Sequence, residues 1–282
     1  KRVIDYYSVL NHLCAIGQVE KMYILAAMDL SQSLTANQKL FEKKMSRDLD
    51  VGKGGSLLDI GCGRGRIASH VAALTNAHVT GMNIDAGQLE SAQQYVLGNG
   101  LSERCQFKLA DLNDLPLPFP DHSFDAVYEV GVFTYSKNLE QLFKEIYRIL
   151  KPGGKFAALD WASLPNYNPE NPRHADLMRR IKPLVGAIGT PSIEEFSGAL
   201  EKAGFRLLIN ENASIDGLQA PLIENADRFF SGVAKAIQWL VRYKILPAHF
   251  KTLFDRMTQD GEAFVEADRM RLVTSSHYVL AE

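Results

Sequence analysis

The chain has 282 residues, of which 46% are hydrophobic and 23% are charged, and its formal net charge is −2 at pH 7. Such a composition is ordinary for a soluble globular protein with room for one large domain. The near-neutral charge argues against a general nucleic-acid binder, and no apolar run is long enough for a stable membrane span.

The cysteines give no sign of metal or disulfide chemistry. Cys14, Cys62 and Cys105 are scattered along the chain. Their spacing matches neither a metal site nor an even set of disulfides, so we expect no bound metal. We recognise no signal peptide at the start of the sequence, and the expected location is the reducing cytoplasm.

The chain divides by its hydrophobic pattern into a helical segment and an alternating core. Residues 1–50 follow a helical pattern without strand-like alternation and are predicted to form an N-terminal helical lid. From 51 to 214, strand-like runs alternate with helical stretches, which predicts an α/β domain with a parallel, doubly wound sheet. The strand candidates are SLLDI, AHVTGMNI, CQFKLA, FDAVYEV, GKFAALDW and FRLLINE. The helical candidates are IASHVAALT, AGQLESAQQYVLGNG, LEQLFKEIYRILKPGG and SIEEFSGALEKAGF.

The remaining residues return to helical spacing and then end in a strand pattern. Residues 215–270 are predicted to form a helical cap, in which Phe229, Phe230 and Trp239 fit core positions. The last stretch, 271–282, alternates and is rich in β-branched residues, so it is predicted to be the final strand of the core sheet. The expected architecture is one α/β domain capped by helices from both termini.

A glycine-rich turn, LLDIGCGRGR, joins the first predicted strand to the first helix of the core. A dinucleotide fingerprint requires G-x-G-x-x-G, but Arg66 stands where its third glycine belongs. The Gly-Lys-Ser/Thr ending of a P-loop is also absent. Gly61, Gly63 and Gly65 still predict that a ligand approaches the backbone closely at this turn.

The polar residues around the turn indicate which ligand that is. Asp59 lies two residues before the first glycine, where a carboxylate repels phosphate and suits an ammonium. S-adenosylmethionine carries an ammonium, a sulfonium and a ribose but no phosphate. Asn83 ends the second strand, where a ribose hydroxyl partner belongs, and Asp111 follows the third strand, within reach of an adenine amine. We therefore expect S-adenosylmethionine as cofactor, with a generic NAD-binding turn as the alternative.

The order of these motifs resembles the class I methyltransferases that use S-adenosylmethionine, and most closely the sterol 24-C-methyltransferase group. The motifs that carry the resemblance are LLDIGCGRGR, SFDAVYEV, EIYRILKPGGKFAALDW and NYNPENPRH, within roughly residues 6–205. The resemblance implies a Rossmann-like class I methyltransferase fold. The cofactor contacts that it implies are Asp59, Gly61, Gly63, Asn83, Gln88, Asp111 and Leu112.

The sequence departs from the sterol enzymes where their acceptor binds. Those enzymes carry a Glu and a His just after the fourth strand, whereas Gly131 and Tyr135 stand at these positions here and Glu129 lies two residues earlier. The N-terminal aromatic motif of the sterol enzymes is also only weakly matched in this chain. The expected relatives are the bacterial terpenoid C-methyltransferases of the sodorifen type, which methylate and cyclise farnesyl diphosphate.

Methylation of an alkene leaves a carbocation, which needs aromatic faces and then a base. An aromatic face contributes about 0.5–2 kcal/mol to a nearby cation, and a base must remove a proton. The expected catalytic residues are Tyr23, Tyr135 and Trp161 facing the cation, with Glu129 or Asp160 stabilising it or accepting the proton. For each of these residues, a purely structural role is the alternative.

A prenyl diphosphate also needs cations around its head group. The sequence contains no DDxxD run, so the magnesium clamp of ionising terpene synthases is missing. Cationic side chains then take its place, and arginine makes the best bidentate phosphate contacts. The substrate-binding candidates are Lys21, Arg173, His174 and Arg180. For Arg180, as for its neighbour Arg179, a solvated helix face is the alternative.

Several functions stay open beside methylation of farnesyl diphosphate. A sterol 24-C-methyltransferase would share the same motifs, and an O- or N-methyltransferase would need a base for a hydroxyl or an amine. A non-catalytic S-adenosylmethionine binder would show no turnover. The expected partners are a prenyl diphosphate or another small alkene, no nucleic acid and no stable membrane span, and a homodimer is left open.

Overall fold

A computed structural model describes residues 26–224, 239, 243 and 261–282. The strands are β1 (Ser56–Ile60), β2 (His78–Asn83), β3 (Cys105–Leu109), β4 (Phe124–Val130), β5 (Leu150–Ser163), β6 (Leu207–Asn212) and β7 (Val273–Ala281). The helices are α1 (Leu34–Leu49), α2 (Arg66–Thr75), α3 (Ala86–Gly98), α4 (Leu139–Ile149), α5 (Pro172–Val185) and α6 (Ile193–Ala203), with 3-10 turns at Phe133–Tyr135 and Ile215–Gly217. Residues 220–224 and 261–269 are also helical.

The strands form one sheet in the order β3-β2-β1-β4-β5-β7-β6. Strands β1 to β5 are parallel to one another, whereas β7 runs antiparallel between β5 and β6. The Rossmann-like α/β fold of class I methyltransferases is therefore confirmed. The parallel strands end at a common edge, which is where ligands bind in open α/β sheets.

The boundary between α4 and β5 differs from the predicted one. Lys151 and Pro152 were expected to stop the helix just before the glycine pair, but α4 ends at Ile149 and Leu150 is already extended. Pro152 disfavours helical backbone in the residue before it, and Gly153 adopts a left-handed φ of 75°. The strand consequently begins four residues before the predicted GKFAALDW segment.

Helix α1 belongs to the core rather than to a lid. Its buried side chains include Phe41, Met45 and Leu49, which share a hydrophobic cluster with the sheet. The Phe41 ring meets the Tyr278 ring of β7 edge-on at 5.4 Å, and the Tyr278 hydroxyl donates a 2.9 Å hydrogen bond to Asp48. The described end of the predicted lid is thus a helix packed into the core, and a lid formed by residues 1–50 stays a prediction.

The described parts of the predicted C-terminal cap contact the end of β5. Ala263, Phe264 and Ala267 are buried in one hydrophobic cluster with Trp161. Trp239 was expected in the core of the cap, but it is 56% exposed, so that interpretation is wrong. Phe229 and Phe230 lie outside the described residues. Among the helices that the structure describes, none is both long and apolar enough to cross a membrane.

The placement of α1 in the core predicts a large effect of Phe41→Ala on stability. Phe41 is fully buried, so its truncation should lower the free energy of unfolding by about 3–5 kcal/mol. Leu40, the adjacent residue, is 39% exposed and serves as the matched control; Leu40→Ala should change stability by about 0.5 kcal/mol or less. Urea unfolding would measure both variants. Equally small changes in the free energy of unfolding for both variants would contradict the packing of α1 in the core.

Candidate active site

The glycine turn lies between β1 and α2 and depends on left-handed backbone. Gly61, Gly63 and Gly65 have φ values of 74°, 52° and 71°, which glycine adopts without steric cost. The Gly61 N–H donates to the Met82 carbonyl of β2 at 2.8 Å. Gly65 is the N-terminal cap of α2. The turn is thus fixed to the neighbouring strand at the carboxyl edge of the sheet.

Two of the three glycines are packed against the protein's own side chains. A Cβ atom on Gly61 would lie 2.3 Å from Val132 Cγ2, and one on Gly65 would lie 2.8 Å from both Ala92 and Phe107. Only Gly63 keeps an ordinary distance, 3.4 Å to Gln88 Oε1. At Gly61 and Gly65, protein side chains therefore occupy the space beside the backbone where a ligand was expected. Gly63 is the glycine of the three that a ligand can approach closely.

Asp59 is a buried acid in the middle of the sheet. It is 2% exposed and pairs in register with Gly81 of β2 and Tyr128 of β4. The Tyr128 hydroxyl donates to Asp59 Oδ2 at 3.1 Å. Burial raises the pKa of Asp59 to about 7, opposed by the Tyr128 hydrogen bond and assisted by the nearby charge of Glu42. A cation beside Asp59 would stabilise its carboxylate.

The amides of Asn83 and Gln88 form the next part of the site. Asn83, the last residue of β2, donates from Nδ2 to Gln88 Oε1 at 2.9 Å. Gln88 is 4% exposed, and its Nε2 has no hydrogen-bond partner among the described residues. A buried amide without an acceptor is costly unless a ligand supplies one. Together with the turn at Gly63 and the acid Asp59, this orphaned donor fits S-adenosylmethionine.

The loop after β3 supplies Asp111 and Leu112. Asp111 Oδ1 accepts from the backbone N–H of Asn113 at 2.9 Å, and Leu112 is buried in a core cluster. Asn113 Nδ2 also donates to the Tyr135 carbonyl at 3.2 Å, which joins this loop to the one after β4. The sequence analysis did not identify Asn113 as part of the site, although the Asp-Leu-Asn-Asp run around it is typical of a turn.

The predicted cofactor residues come to one edge because their strands are adjacent and parallel. Asp59 lies in β1, Asn83 ends β2 and Asp111 follows β3, and these three strands are neighbours in the sheet. Tyr128, the partner of Asp59, was not predicted. Only the cross-strand register could have identified it, since it lies 69 residues further along the chain.

Two further acids, Glu129 and Asp160, are buried side by side at the ends of β4 and β5. Glu129 is completely buried and Asp160 is 3% exposed. Glu129 Oε2 accepts from the Val132 N–H at 2.9 Å. Asp160 Oδ2 accepts from the Phe133 N–H at 2.7 Å, and its Oδ1 accepts from the Trp161 N–H at 2.6 Å. The structure thus brings together the two acids that the sequence singled out.

The two acids lie close enough to influence each other's protonation. Burial raises the pKa of Glu129 far above its ordinary range, and the charge of Asp160 raises it further. Burial also raises the pKa of Asp160, but the backbone N–H groups of Trp161 and Phe133 offset part of that effect. Two carboxyl groups buried side by side favour a state in which one of them keeps its proton.

Two of the predicted aromatic residues lie near this pair in the chain. Trp161 is 4% exposed, with its ring 6.3 Å from the Phe264 ring and its Nε1 without a hydrogen-bond partner among the described residues. Tyr135 is half-buried in the 3-10 turn after β4. The third, Tyr23, lies outside the described residues.

The predicted head-group residues on α5 already have protein partners. Arg173 forms a 2.6 Å ion pair with Glu266. His174 Nδ1 accepts from the Asn168 N–H at 3.2 Å, and its ring stacks on Tyr167. Arg180 is half-buried on the same helix, and Lys21 lies outside the described residues. Any head-group contact by Arg173 would compete with Glu266.

The raised pKa of Asp59 predicts proton release when S-adenosylmethionine binds. With a pKa of about 7, Asp59 is mostly protonated at about pH 6.5, and an ammonium placed beside it would favour the carboxylate. Calorimetric titrations in buffers of different ionisation enthalpy should show release of roughly half a proton or more per cofactor. Asp59→Asn should abolish this release. A wild-type enthalpy independent of the buffer would contradict this account of Asp59.

Comparison with known sequences identifies the family. Residues 58–158 match the family model described as a methyltransferase domain. A sterol 24-C-methyltransferase of Gibberella zeae is 34% identical over 299 residues, covering 99% of this chain and 78% of that protein. The cycloartenol-C-24-methyltransferase of Arabidopsis thaliana is 27% identical over 297 residues, covering 99% of this chain and 86% of that protein.

Solved structures support the same fold. The cyclopropane synthase MmaA2 of Mycobacterium tuberculosis has a TM-score of 0.73 at 18% identity, covering 92% of this chain and 89% of that one. A geranyl diphosphate methyltransferase has a TM-score of 0.71 at 18% identity, covering 99% of this chain and 96% of that one.

The motif, the fold and the full-length similarity agree. The glycine turn, Asp59 and the orphaned amide of Gln88 fit S-adenosylmethionine, and the similarity to the Gibberella zeae enzyme extends over nearly the whole chain. The chain belongs to the sterol 24-C-methyltransferase family and is an S-adenosylmethionine-dependent C-methyltransferase.

Proposed function

We propose that the protein methylates an alkene carbon of a prenyl diphosphate, with farnesyl diphosphate as the acceptor, and that the resulting cation can cyclise before it loses a proton. The observation that carries this proposal is the buried Glu129–Asp160 pair, followed directly by Trp161. A negative charge in a dry environment stabilises a developing carbocation, and an aromatic face adds to that stabilisation where it meets the cation.

The reaction balances without a further reactant. When bound, S-adenosylmethionine supplies an electrophilic methyl group. The alkene π pair forms the new C–C bond, while the S–CH3 bond breaks and its electrons stay on sulfur. The cation then loses a proton to a base, for which the ionised carboxyl of the pair is the candidate. The chain's own task is to align the acceptor and to exclude water from the cation.

The surroundings of Trp161 favour an apolar acceptor. A hydrophobic cluster extends from this residue to α5 and to the helical residues 261–269. Its buried members besides Trp161 are Leu177, Met178, Ile181, Ala263, Phe264, Ala267, Leu272 and Val273. A small polar acceptor, as an O- or N-methyltransferase would use, gains little binding free energy beside such a cluster. A hydrocarbon chain gains binding free energy with each apolar contact that it makes.

The names of similar proteins agree with an isoprenoid acceptor. The curated relatives include sterol and cycloartenol methyltransferases and a botryococcene C-methyltransferase of Botryococcus braunii. The solved neighbours include a geranyl diphosphate methyltransferase. These acceptors are all isoprenoids. The diphosphate is preferred here because Gly131 and Tyr135 replace the Glu and His that the sterol resemblance implies after β4.

Methylation of a sterol is the second candidate. It is favoured by the 34% identity to a sterol 24-C-methyltransferase over nearly the full chain. The two candidates share the methyl-transfer chemistry and differ in the polar end of the acceptor. A diphosphate demands cationic side chains, of which Arg173 and Arg180 lie on α5, whereas the single hydroxyl of a sterol does not.

Incubation with S-adenosylmethionine and three acceptors tests the proposal. Farnesyl diphosphate, geranyl diphosphate and a sterol with a side-chain alkene are compared, and mass spectrometry records the gain of one methylene. We expect the highest kcat/KM with farnesyl diphosphate. Higher turnover of the neutral sterol would replace this proposal with the second candidate. Turnover of none of the three would reject both acceptor assignments.

Two matched variants in the same incubation test the head-group site. If Arg173 binds the diphosphate, Arg173→Ala should raise the KM for farnesyl diphosphate about tenfold or more, since a charge-assisted hydrogen bond is lost. Glu266→Gln breaks the same ion pair but frees Arg173, so KM should stay the same or fall. Equal increases in KM for both variants would mean that the ion pair matters and the head-group contact does not exist.

A further inference from the structure

The turn after β4 is held by the side chains of two acids. The backbone N–H of Val132 donates to Glu129, and those of Phe133 and Trp161 donate to Asp160. In the turn itself, the acids therefore satisfy the consecutive amide groups of Val132 and Phe133, and a buried backbone N–H needs such an acceptor.

One oxygen of the pair lacks a donor unless a proton lies between the two acids. Glu129 Oε2 is occupied by the Val132 N–H, whereas Oε1 is buried and receives no hydrogen bond from the described residues. Both oxygens of Asp160 already accept from backbone N–H groups. A proton on Glu129 Oε1, donated to Asp160, completes the hydrogen bonding. With two carboxylates, this contact would instead be repulsive.

We propose that Glu129 works as a protonated positioning residue, which donates to Asp160 and accepts from Val132 and thereby fixes the turn after β4 against the glycine turn, and that it is not the base of the reaction. This inference rests on the S-adenosylmethionine-dependent methyl transfer and does not depend on which acceptor is used. It leaves Asp160 as the ionised member of the pair.

The contacts of the turn explain why its position matters for the cofactor site. The Val132 side chain fills the space above Gly61, so closely that a methyl group there would lie 2.3 Å from it. At its other end, the Tyr135 carbonyl accepts from Asn113, which in turn contacts Asp111. A displacement of the turn would therefore reach both the glycine motif and the loop after β3.

A test separates a held proton from a catalytic base. Glutamine copies protonated glutamate, because its amide can donate to Asp160 and accept from Val132. We expect Glu129→Gln to keep kcat and the Kd for S-adenosylmethionine within about threefold of wild type. Glu129→Leu removes both hydrogen bonds and should lower kcat about tenfold or more, which is the size expected for a lost buried hydrogen bond. Rescue by glutamine but not by leucine is the expected pattern.

Asp160→Asn provides the matched change at the other acid. The amide would turn a donor towards a backbone N–H, so we expect a lower Tm and a loss of kcat of about thirtyfold or more. Glu129→Gln with wild-type Tm and cofactor Kd but a kcat reduced more than a hundredfold would overturn the proposal and make Glu129 the base. Asp160→Asn with unchanged Tm and kcat would overturn it as well.

A stability profile against pH adds a readout that a merely structural role would not move. The raised pKa of Glu129 means that its proton stabilises the fold at low pH, and that this stabilisation is lost as the pH rises through that pKa. The other titratable groups that face it are Asp160 of β5 and Asp59 of β1. Wild type should lose more stability than Glu129→Gln towards alkaline pH; parallel profiles would contradict the held proton.

Discussion

Two acids buried side by side at the ends of β4 and β5 hold the turn on which the glycine motif rests. Glu129 and Asp160 together accept the backbone N–H groups of Val132, Phe133 and Trp161. Val132 then packs on Gly61, which has no room for any side chain. The position of the cofactor turn is in this way coupled to a buried pair of acids, where each hydrogen bond left unmade is costly.

The burial that strengthens the hydrogen bonds of Glu129 and Asp160 also controls their charge. Asp59, Glu129 and Asp160 all lie within the sheet with almost no exposure, and burial raises the pKa of each. Three negative charges so close together would be unstable without compensation. A cationic ligand would relieve this conflict, and the sulfonium of S-adenosylmethionine carries such a charge. Chemistry and fold stability are therefore linked through protonation.

The sequence revealed those parts of the site that depend on one strand at a time. Asp59, Asn83 and Asp111 could be placed at one edge because each follows or ends a recognisable strand and parallel strands end together. Contacts that depend on register, such as Tyr128 with Asp59, could not be predicted, because residues far apart in sequence become neighbours only through strand pairing. The carboxyl pair was named residue by residue, but not as a pair sharing a proton.

Tertiary packing also decided the cases in which the pattern misled. Helix α1 follows an amphipathic pattern that suits a lid or a core helix equally, and only Phe41 against Tyr278 distinguishes them. Trp239 is a large apolar residue at helical spacing, yet its side chain is exposed. Helical spacing alone does not show which face of a helix packs against the rest of the protein. Arg173 was expected to bind the anionic head group of the acceptor, but in the structure it pairs with Glu266. The sequence does not show this ion pair, because Glu266 lies 93 residues further along the chain.

The central claim is that buried carboxyl groups hold the turn after β4, and amide hydrogen exchange tests it most directly. Exchange measured residue by residue in the cofactor-free protein should show the N–H groups of Val132, Phe133 and Trp161 protected as strongly as those within β4, because their acceptors are buried. Exchange at the rate of the exposed turn around Lys53 would show that the acids do not hold these groups, and would contradict the account.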